Sequence, residues 1–163
     1  MNLRDAAESD LSAIVEIYNS AIATRMATAQ SEPVTVAERL PWFHEHTAEA
    51  HPLWVLELDG QVAGWLSFSA FIPRCAYHVT SELSVYVHAD FWRRGIGAQL
   101  LGAAIAHAPS LGLQTLLGLI FGYNEASLRL FEKFGFKRWG HLPRVANLDG
   151  VERDLVIVGR HFA

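Results

Sequence analysis

The sequence lacks most of the features that mark secreted and membrane-embedded proteins. It contains one cysteine, Cys75, so no internal disulfide bond is possible. No apolar run approaches the roughly 20 residues that a membrane-spanning helix requires, and the polar start, Met1–Asp10, does not resemble a secretory signal. Repeats, low-complexity tracts and linkers are absent too. These absences predict a cytoplasmic protein without a second module.

An excess of charge of one sign is also missing. The chain has 13 Lys and Arg residues against 17 Asp and Glu residues, a formal net charge of −4. This balance excludes a general electrostatic attraction for nucleic acid or for an acidic membrane. Hydrophobic residues make up 51% of the 163 positions, enough to bury a sizeable core. Length and composition together predict a single domain over residues 1–163.

Hydrophobic spacing in the first part of the chain predicts a short strand followed by two helices. Ser9 can cap the first helix, whose apolar positions recur as far as Ile22. Thr35 and Glu38 form a capping-box pattern ahead of the second helix, which we expect to end near Glu49. Within this second helix, the aromatic pair at positions 42 and 43 is more typical of core packing than of a substrate wall.

The remainder of the chain predicts a mixed sheet. Asp59-Gly60 and Asp149-Gly150 are turn pairs that tolerate positive φ and are typical of hairpins. Strands are predicted at residues 53–58, 61–71, 82–87, 115–121, 136–145 and 152–159, and helices at residues 95–107 and 125–134. The order indicates an α/β (α+β) fold with helices on both faces of the sheet.

The stretch from residue 81 to residue 98 carries the chemistry. Its strand alternates polar with apolar side chains, Glu82, Ser84 and Tyr86 against Leu83, Val85 and Val87. A helix then starts at Arg93-Arg94-Gly95-Ile96-Gly97-Ala98. Free N–H groups and the positive dipole end at such a start bind anions, and the glycines let a ligand approach the backbone closely. We therefore predict a carboxylate base beside a diphosphate-binding turn.

These motifs resemble, in this order, the GNAT acyl-CoA N-acetyltransferases over nearly the whole chain. The run from Asn124-Glu125-Ala126-Ser127 to Phe134-Gly135-Phe136 is similar to the second cofactor motif of that family. Within the family, the chain looks most like the phosphinothricin and methionine sulfoximine acetyltransferases, through Ile17-Tyr18-Asn19, Trp42-Phe43, Arg74, Ala76-Tyr77, Thr80, Glu82, Val85-Tyr86-Val87 and Asp154. The resemblance implies a GNAT fold, with a twisted, mostly antiparallel sheet of about seven strands flanked by about four helices.

The resemblance also implies an activity. Acetyl would move from acetyl-CoA directly to the amine of a small molecule, such as an amino acid, methionine sulfoximine or phosphinothricin, and the protein would be a homodimer. No metal, nucleic acid or membrane is implied. Glu82 would be the general base, and Arg74, Tyr77 and His78 would contact the acceptor. The cofactor-binding positions implied are Val85, Tyr86, Val87, Arg93, Arg94, Gly95, Ile96, Gly97, Ala98, Asn124, Ser127 and Phe131.

Several residues have a second interpretation. Glu82 could be a structural partner of Arg74 or of another cation, and Asn124 could be a plain helix cap. Phe131 stands where many members of the family have a tyrosine that protonates the departing thiolate, and phenylalanine has no proton to give. Water, Tyr86 or Tyr123 would then supply the proton, or the thiolate would leave without an acid.

The acceptor and the activity itself have alternatives too. Asp149 and Glu152 stand where some relatives have a basic and an aromatic residue, which predicts a more acidic pocket and favours a cationic or plain amine. A CoA-binding sensor without turnover is the second functional hypothesis, suggested by Phe131 and by the altered acceptor positions. A peptide or protein N-acetyltransferase is the third, and it would require an open groove.

Overall fold

The computed structural model describes residues 1–162, in which four α-helices surround one seven-stranded sheet. The strand order is β1-β2-β3-β4-β5-β7-β6. The elements are β1 (Asn2–Asp5), α1 (Leu11–Thr24), α2 (Val36–His44), β2 (Leu53–Leu58), β3 (Gln61–Ala70), β4 (Thr80–Val87), α3 (Ile96–His107), β5 (Thr115–Phe121), α4 (Glu125–Lys133), β6 (Lys137–Leu148) and β7 (Val151–His161). The predicted order of elements and the mixed sheet are confirmed.

Helices cover both faces of the sheet because alternate residues of a strand face opposite ways. In β2, Leu53 and Val55 pack on the side of α1 and α2, whereas Trp54 and Leu56 pack on the side of α3 and α4. Both sets are buried, so the central sheet has an apolar core on each face. None of the helices within residues 1–162 has the length and apolarity needed to cross a membrane.

The two predicted hairpin turns are confirmed by their backbone angles. Asp59 and Gly60, between β2 and β3, have φ values of +54° and +76°, and Asp149 and Gly150, between β6 and β7, have +55° and +81°. Two successive residues with positive φ match the right-handed twist of the flanking strands. The strands β6 and β7 are longer than predicted, since they pair with each other from their shared turn back to Lys137.

The start of α1 differs from the prediction. Ser9 does not cap it, since Glu8–Asp10 form a 3-10 turn and the Asp10 carboxylate accepts a hydrogen bond from the Ala7 N–H at 2.7 Å. The Arg4 guanidinium on β1 donates to the same carboxylate at 2.7 Å. This contact comes from another element, so a local capping preference could not anticipate it.

The second helix begins as predicted and ends early. Thr35 accepts a hydrogen bond from the Glu38 N–H at 3.1 Å, which confirms the capping box. α2 ends at His44 rather than near Glu49. The chain beyond it turns back, and Thr47 and His51 exchange two backbone hydrogen bonds of 3.1 Å. These bonds satisfy backbone groups that a longer helix would have used.

The centre of the sheet contains a split. β4 and β5 are parallel and pair only at residues 80–82 against 115–117. Beyond these positions β4 continues its pairing with β3, while β5 continues its pairing with β7. The two strands therefore diverge, and the edge of β4 that faces β5 has no strand partner from residue 83 to residue 87.

Candidate active site

Two cavities meet at the split between β4 and β5. The larger, about 340 Å³, lies on the face covered by α1 and α2, and the smaller, about 50 Å³, lies between the split and α4. Four residues line both cavities: Ala27, Ser84, Tyr86 and Leu119. A reactant in one cavity can therefore meet a reactant in the other at the split.

The Glu82 side chain lines the larger cavity at the last position where β4 pairs with β5. It is half-buried, and burial raises the pKa of its carboxyl above 4.5. Among the described residues no Lys, Arg or His lies within ion-pair distance of it, so the predicted alternative of a pair with Arg74 is not formed. A carboxylate with a raised pKa and no partner is suited to accept a proton.

An aromatic cluster forms the other end of the larger cavity. Trp65 stacks on Tyr86 at 4.7 Å between ring centres, and Tyr18 and Trp42 meet these two rings edge-on at 5.4 and 5.5 Å respectively. Trp42 thus lines the cavity as well as packing on the core. The sequence pattern had favoured the core role and given less support to the role in the cavity wall. Phe43 packs on the core alone.

Tyr86 is the tyrosine shared by both cavities. Burial raises the pKa of its phenol, and its hydroxyl donates to the Ala27 carbonyl oxygen at 3.5 Å. Tyr123 lines neither cavity; its hydroxyl donates a hydrogen bond to the Arg25 carbonyl oxygen. Phe131 lines the smaller cavity and packs edge-on against Phe136, with 4.9 Å between ring centres.

The remaining predicted positions on β4 contribute backbone. The Val85 and Val87 side chains pack against the core on the side of α3, while their main chain lies on the strand that leaves β5. Trp92 donates its indole N–H to the Val87 carbonyl oxygen at 3.0 Å. This hydrogen bond ties the following loop to the end of β4.

The start of α3 has the form of an anion site. Gly95 precedes the helix with a left-handed φ of +79°, and the first hydrogen bond of the helix runs from the Gln99 N–H to the Gly95 carbonyl oxygen at 3.0 Å. The N–H groups of residues 96–98 therefore have no partner within the helix. Arg93 and Arg94 are exposed beside them, whereas the Ile96 side chain is buried and offers only its backbone.

Close packing explains the second glycine of this turn. A Cβ atom on Gly97 would lie 3.1 Å from Leu130 on α4, tighter than an ordinary contact. The glycine lets α3 and α4 approach each other beside the split. The free N–H groups, the two arginines and the neighbouring small cavity fit a diphosphate with an extended arm.

Asn124 and Ser127 lie at the start of α4 and line the smaller cavity. The Asn124 side-chain oxygen accepts a hydrogen bond from the Ser127 N–H at 3.3 Å, so the interpretation as a helix cap is confirmed. Its side-chain N–H donates to the Met26 carbonyl oxygen at 3.1 Å. Asn124 therefore joins the helix to the loop between α1 and α2.

This α1–α2 loop, residues 25–35, is a part of the site that the sequence pattern did not reveal. Ala27, Thr28 and Ala29 line the larger cavity, and Ala27 also lines the smaller one. The Arg25 guanidinium binds the Asp149 carboxylate at 2.8 Å. Loop residues have no periodicity, so only the fold could bring them to the cavity.

The predicted acceptor residues lie outside the cavities. Arg74, Tyr77 and His78 are exposed on the loop before β4, where the His78 Nδ1 atom lies 2.6 Å from the Cys75 carbonyl oxygen. Asp149 pairs with Arg25, and Glu152 lies 3.7 Å from Arg144. These acidic residues do not line the larger cavity, whose described lining contains one carboxylate, Glu82, and one guanidinium, Arg39.

Arg39 was not singled out in the sequence. The capping box at Thr35 sets the phase of α2, and residues 39 and 42 then share a helical face. Which face of the sheet this helix covers is a tertiary property. Among residues 1–162, no three His, Cys, Asp or Glu side chains form a group that could hold a metal ion.

Comparisons with known proteins converge on one family. Residues 14–136 match the model of the acetyltransferase (GNAT) family. The chain is 48% identical to YwnH of Bacillus subtilis, a candidate phosphinothricin acetyltransferase, over 100% of both chains. It is 34% identical to the L-methionine sulfoximine/L-methionine sulfone acetyltransferase of Pseudomonas aeruginosa, over 96% of this chain and 92% of that protein. The crystal structure of a phosphinothricin acetyltransferase from Sinorhizobium meliloti with acetyl-CoA superposes with a TM-score of 0.93 at 30% identity, covering 99% of this chain and 88% of that one.

Proposed function

Because the chain belongs to the acetyltransferase (GNAT) family, we propose that it transfers acetyl from acetyl-CoA to the primary amine of a small amino acid or amino acid analogue, with Glu82 as general base. The observation that supports this most strongly is the unpaired Glu82 carboxylate in a cavity that opens on the split between β4 and β5. The names of the similar proteins support the class of acceptor.

The transfer requires a neutral amine, because an ammonium has no lone pair. Burial raises the pKa of the Glu82 carboxyl, which improves the match to an amine proton, and the proton passes to it directly or through one water. The amine nitrogen then bonds to the thioester carbonyl carbon as the carbonyl π electrons move to oxygen. When the C–S bond breaks, the oxygen electrons re-form the carbonyl and CoA leaves as the thiolate. The nitrogen then gives up its surplus proton, the thiolate takes up one proton, and the neutral amide and the CoA thiol remain.

The backbone of β4 is proposed to stabilise the negative charge on the thioester oxygen. The His88 N–H donates to the Ala63 carbonyl oxygen on the β3 side, so by the alternation of an antiparallel ladder the main-chain groups of Leu83 and Val85 face β5, where no strand pairs with them. Both residues line the smaller cavity. Backbone N–H groups held rigidly in a strand stabilise an oxyanion without reorganising. Pairing with β3 holds this edge in place.

The cofactor is proposed to bind along α3 and α4. Its diphosphate would lie on the N–H groups of residues 95–98, with Arg93 and Arg94 adding positive charge, and its arm would extend past Asn124, Ser127 and Phe131 to the split. Tyr86 is proposed as the proton donor to the departing thiolate. Its side chain borders both cavities, and its hydroxyl lies 3.5 Å from the Ala27 carbonyl oxygen, whereas Tyr123 lines neither cavity and its hydroxyl donates to the Arg25 carbonyl oxygen.

Four further expectations belong to the proposal. The chain acts as a single domain in the cytoplasm, and it forms a homodimer. Apolar side chains exposed on the β6–β7 hairpin support a dimer, since Trp139, Val145 and Val151 are 44%, 54% and 48% exposed. Contact of Arg74, Tyr77 and His78 with the acceptor is retained as a proposal.

The test is thiol release from acetyl-CoA over a panel of amino acids, methionine sulfoximine, phosphinothricin, polyamines and short peptides. We expect the wild-type protein to respond to the amino acid class. Glu82→Gln should lower kcat about 100-fold or more while acetyl-CoA affinity, measured by calorimetry, is kept. Glu16→Gln, an exposed carboxylate on α1, is the matched control and should leave both unchanged.

The alternatives give different results in the same assay. A sensor would bind acetyl-CoA in calorimetry and release no thiol with any acceptor, and Glu82→Gln would then have no effect. A peptide acetyltransferase would respond to the short peptides and not to free amino acids.

A further inference from the structure

The larger cavity contains a cation that the proposed mechanism does not use. Arg39 on α2 lies with its guanidinium carbon 4.1 Å from the ring centre of Trp42 and 4.8 Å from that of Tyr18. It is half-buried and lines the cavity together with these rings. Its position is therefore set by two aromatic side chains that are themselves packed on the sheet.

No carboxylate among the described residues lies within ion-pair distance of Arg39. Five of the other ten arginines do have such partners: Arg4 with Asp10 and Glu57, Arg25 with Asp149, Arg129 with Glu125, Arg138 with Glu132, and Arg144 with Glu152. Burial lowers the pKa of the Arg39 guanidinium, because water that would stabilise its charge has been removed. A half-buried charge without a counter-ion is costly unless a ligand supplies one.

The geometry of stacking leaves Arg39 able to bind. Aromatic rings contact the flat face of a guanidinium, whereas its N–H groups point outward in the plane. No described group accepts a hydrogen bond from these N–H groups. Stacking fixes the plane of the Arg39 guanidinium, so an anion that enters the cavity meets N–H donors that are already oriented.

Arg39 and Glu82 lie at opposite ends of the cavity. The register of β3 with β4 pairs Trp65 with Tyr86 at the aromatic end and Ser69 with Glu82 at the other. Four residues of strand separate these ends, about 13 Å. Ser67 and Ser84 line the floor between them, and Ser84 also borders the smaller cavity. An acceptor whose amine lies at the split would have the carboxylate on one side and the guanidinium on the other.

We propose that Arg39 determines acceptor specificity by binding an anionic oxygen group of the acceptor, a carboxylate or another oxyacid. This inference rests on the proposed acetyl transfer at the same site. It assigns the anion to Arg39 on α2, whereas the family resemblance implied that Arg74, which is exposed and lies outside the cavity, contacts the acceptor. The acidic group can be the α-carboxylate of an amino acid or an acid at the end of its side chain, and the two are distinguished by the choice of ligand.

The experiment compares acidic acceptors with their neutral counterparts. Methionine and methionine amide differ at the α-carboxylate, and glutamate and glutamine differ at the side chain. Binding of each compound is measured by calorimetry in the presence of CoA, and KM and kcat are measured by thiol release. Four variants are compared with wild type: Arg39→Met, Arg39→Lys, Arg74→Met and, as a matched control, Arg138→Met, which removes an exposed arginine that pairs with Glu132.

We expect Arg39→Met to weaken binding and raise KM of the acidic member of a pair about 10- to 100-fold, the range of a charge-assisted hydrogen bond. The neutral member should change less than about 2-fold. The methionine of Arg39→Met keeps an apolar side chain over the two rings. Arg39→Lys keeps the positive charge but not the planar guanidinium, so this variant should recover part of the affinity. Arg138→Met should behave as wild type. The pair that responds identifies which acid Arg39 binds.

Three outcomes would overturn the inference. The acidic and neutral members could weaken equally in both Arg39 variants, which would make Arg39 a packing residue of the aromatic cluster. Arg74→Met could abolish the preference for the acidic over the neutral compound while Arg39→Met keeps that preference. The wild-type protein could bind no acidic compound more tightly than its neutral counterpart. Failure of the proposed function is a separate result, because Arg39-dependent binding without any thiol release would refute acetyl transfer and retain the anion site.

Discussion

At the scale of single residues, the site consists of polar groups that folding removes from water without giving them a partner. Glu82 and Arg39 are both half-buried in the larger cavity. Burial raises the pKa of the Glu82 carboxyl and lowers the pKa of the Arg39 guanidinium, and each shift favours the neutral form. Groups of this kind weaken the folded state, so their presence in a cavity favours a functional reason for them.

The raised pKa of Glu82 makes a prediction about stability. A carboxyl whose pKa is higher in the folded than in the unfolded chain binds protons more tightly when folded, so its contribution to stability falls as pH rises through that pKa. At pH 7 the wild-type protein therefore contains a desolvated charge that Glu82→Gln removes. We expect the variant to have an equal or higher Tm than wild type at pH 7 while its turnover is lost.

The measurement is thermal unfolding of both proteins across pH. The difference in Tm should narrow as pH falls toward 4.5, the ordinary value for this carboxyl, because the wild-type group is then neutral as well. A variant clearly less stable than wild type at pH 7 would contradict the absence of a stabilising partner for Glu82.

At the scale of elements, β4 and the start of α3 each contain residues that pack in the core and other groups that face the proposed reactants. Alternation along β4 puts Leu83 in the core and Glu82 in the cavity. These features were predictable from the sequence, because a strand has a period of two and a helix start needs particular residues. The start of α1 and the end of α2 were not predictable from the sequence. The ion pair of Arg4 with Asp10 determined the first, and the Thr47–His51 bridge determined the second.

Gly95 gives a test at this scale. Its φ of +79° is left-handed, and no atom lies within 4 Å of the position a Cβ would take, so Gly95→Ala costs only backbone strain, about 1 kcal/mol. Relaxation of that strain would turn the N–H groups of residues 96–98 away from their common direction. We expect a loss of about 10-fold in acetyl-CoA affinity by calorimetry, together with a lower Tm.

Gly60 offers a matched control for this substitution. It has a φ of +76° and equally open surroundings in the β2–β3 turn, and it lines neither cavity. Gly60→Ala should lower Tm by a similar amount and leave the acetyl-CoA affinity unchanged. Equal affinity losses in the two variants would mean that general destabilisation, and not the helix start, explains the effect.

At the scale of the whole molecule, the α1–α2 loop connects distant parts of the chain around the split. The Tyr123 hydroxyl donates to the Arg25 carbonyl oxygen, Asn124 donates to the Met26 carbonyl oxygen, and Arg25 binds Asp149. The loop therefore depends on the start of α4 and on the β6–β7 turn for its position. It forms one wall of both cavities, so its order is part of the site.

We expect Tyr123→Phe to loosen this loop without unfolding the protein. A lost hydrogen bond costs about 1 kcal/mol, which corresponds to roughly a 5-fold increase in local opening. Amide hydrogen exchange over residues 25–35 should accelerate by about this factor, and exchange in β2 and β3 should not. Tyr77→Phe removes the hydroxyl of an exposed tyrosine for which no hydrogen bond is present among residues 1–162, and it is the control. Unchanged exchange in the loop of Tyr123→Phe would refute its role as an anchor.

The sequence by itself determined the order of the elements, the two Asp-Gly turns, the cap at Asn124 and the carboxylate on β4, because each depends on the periodicity or the conformational preference of neighbouring residues. Only the tertiary structure decided that β4 and β5 diverge after Glu82, that Arg39 and Trp42 line the cavity, and that Arg74 does not. Such contacts join residues far apart in the chain. Their geometry depends on how the two helical layers pack on the sheet, and local sequence patterns hold no information about that packing.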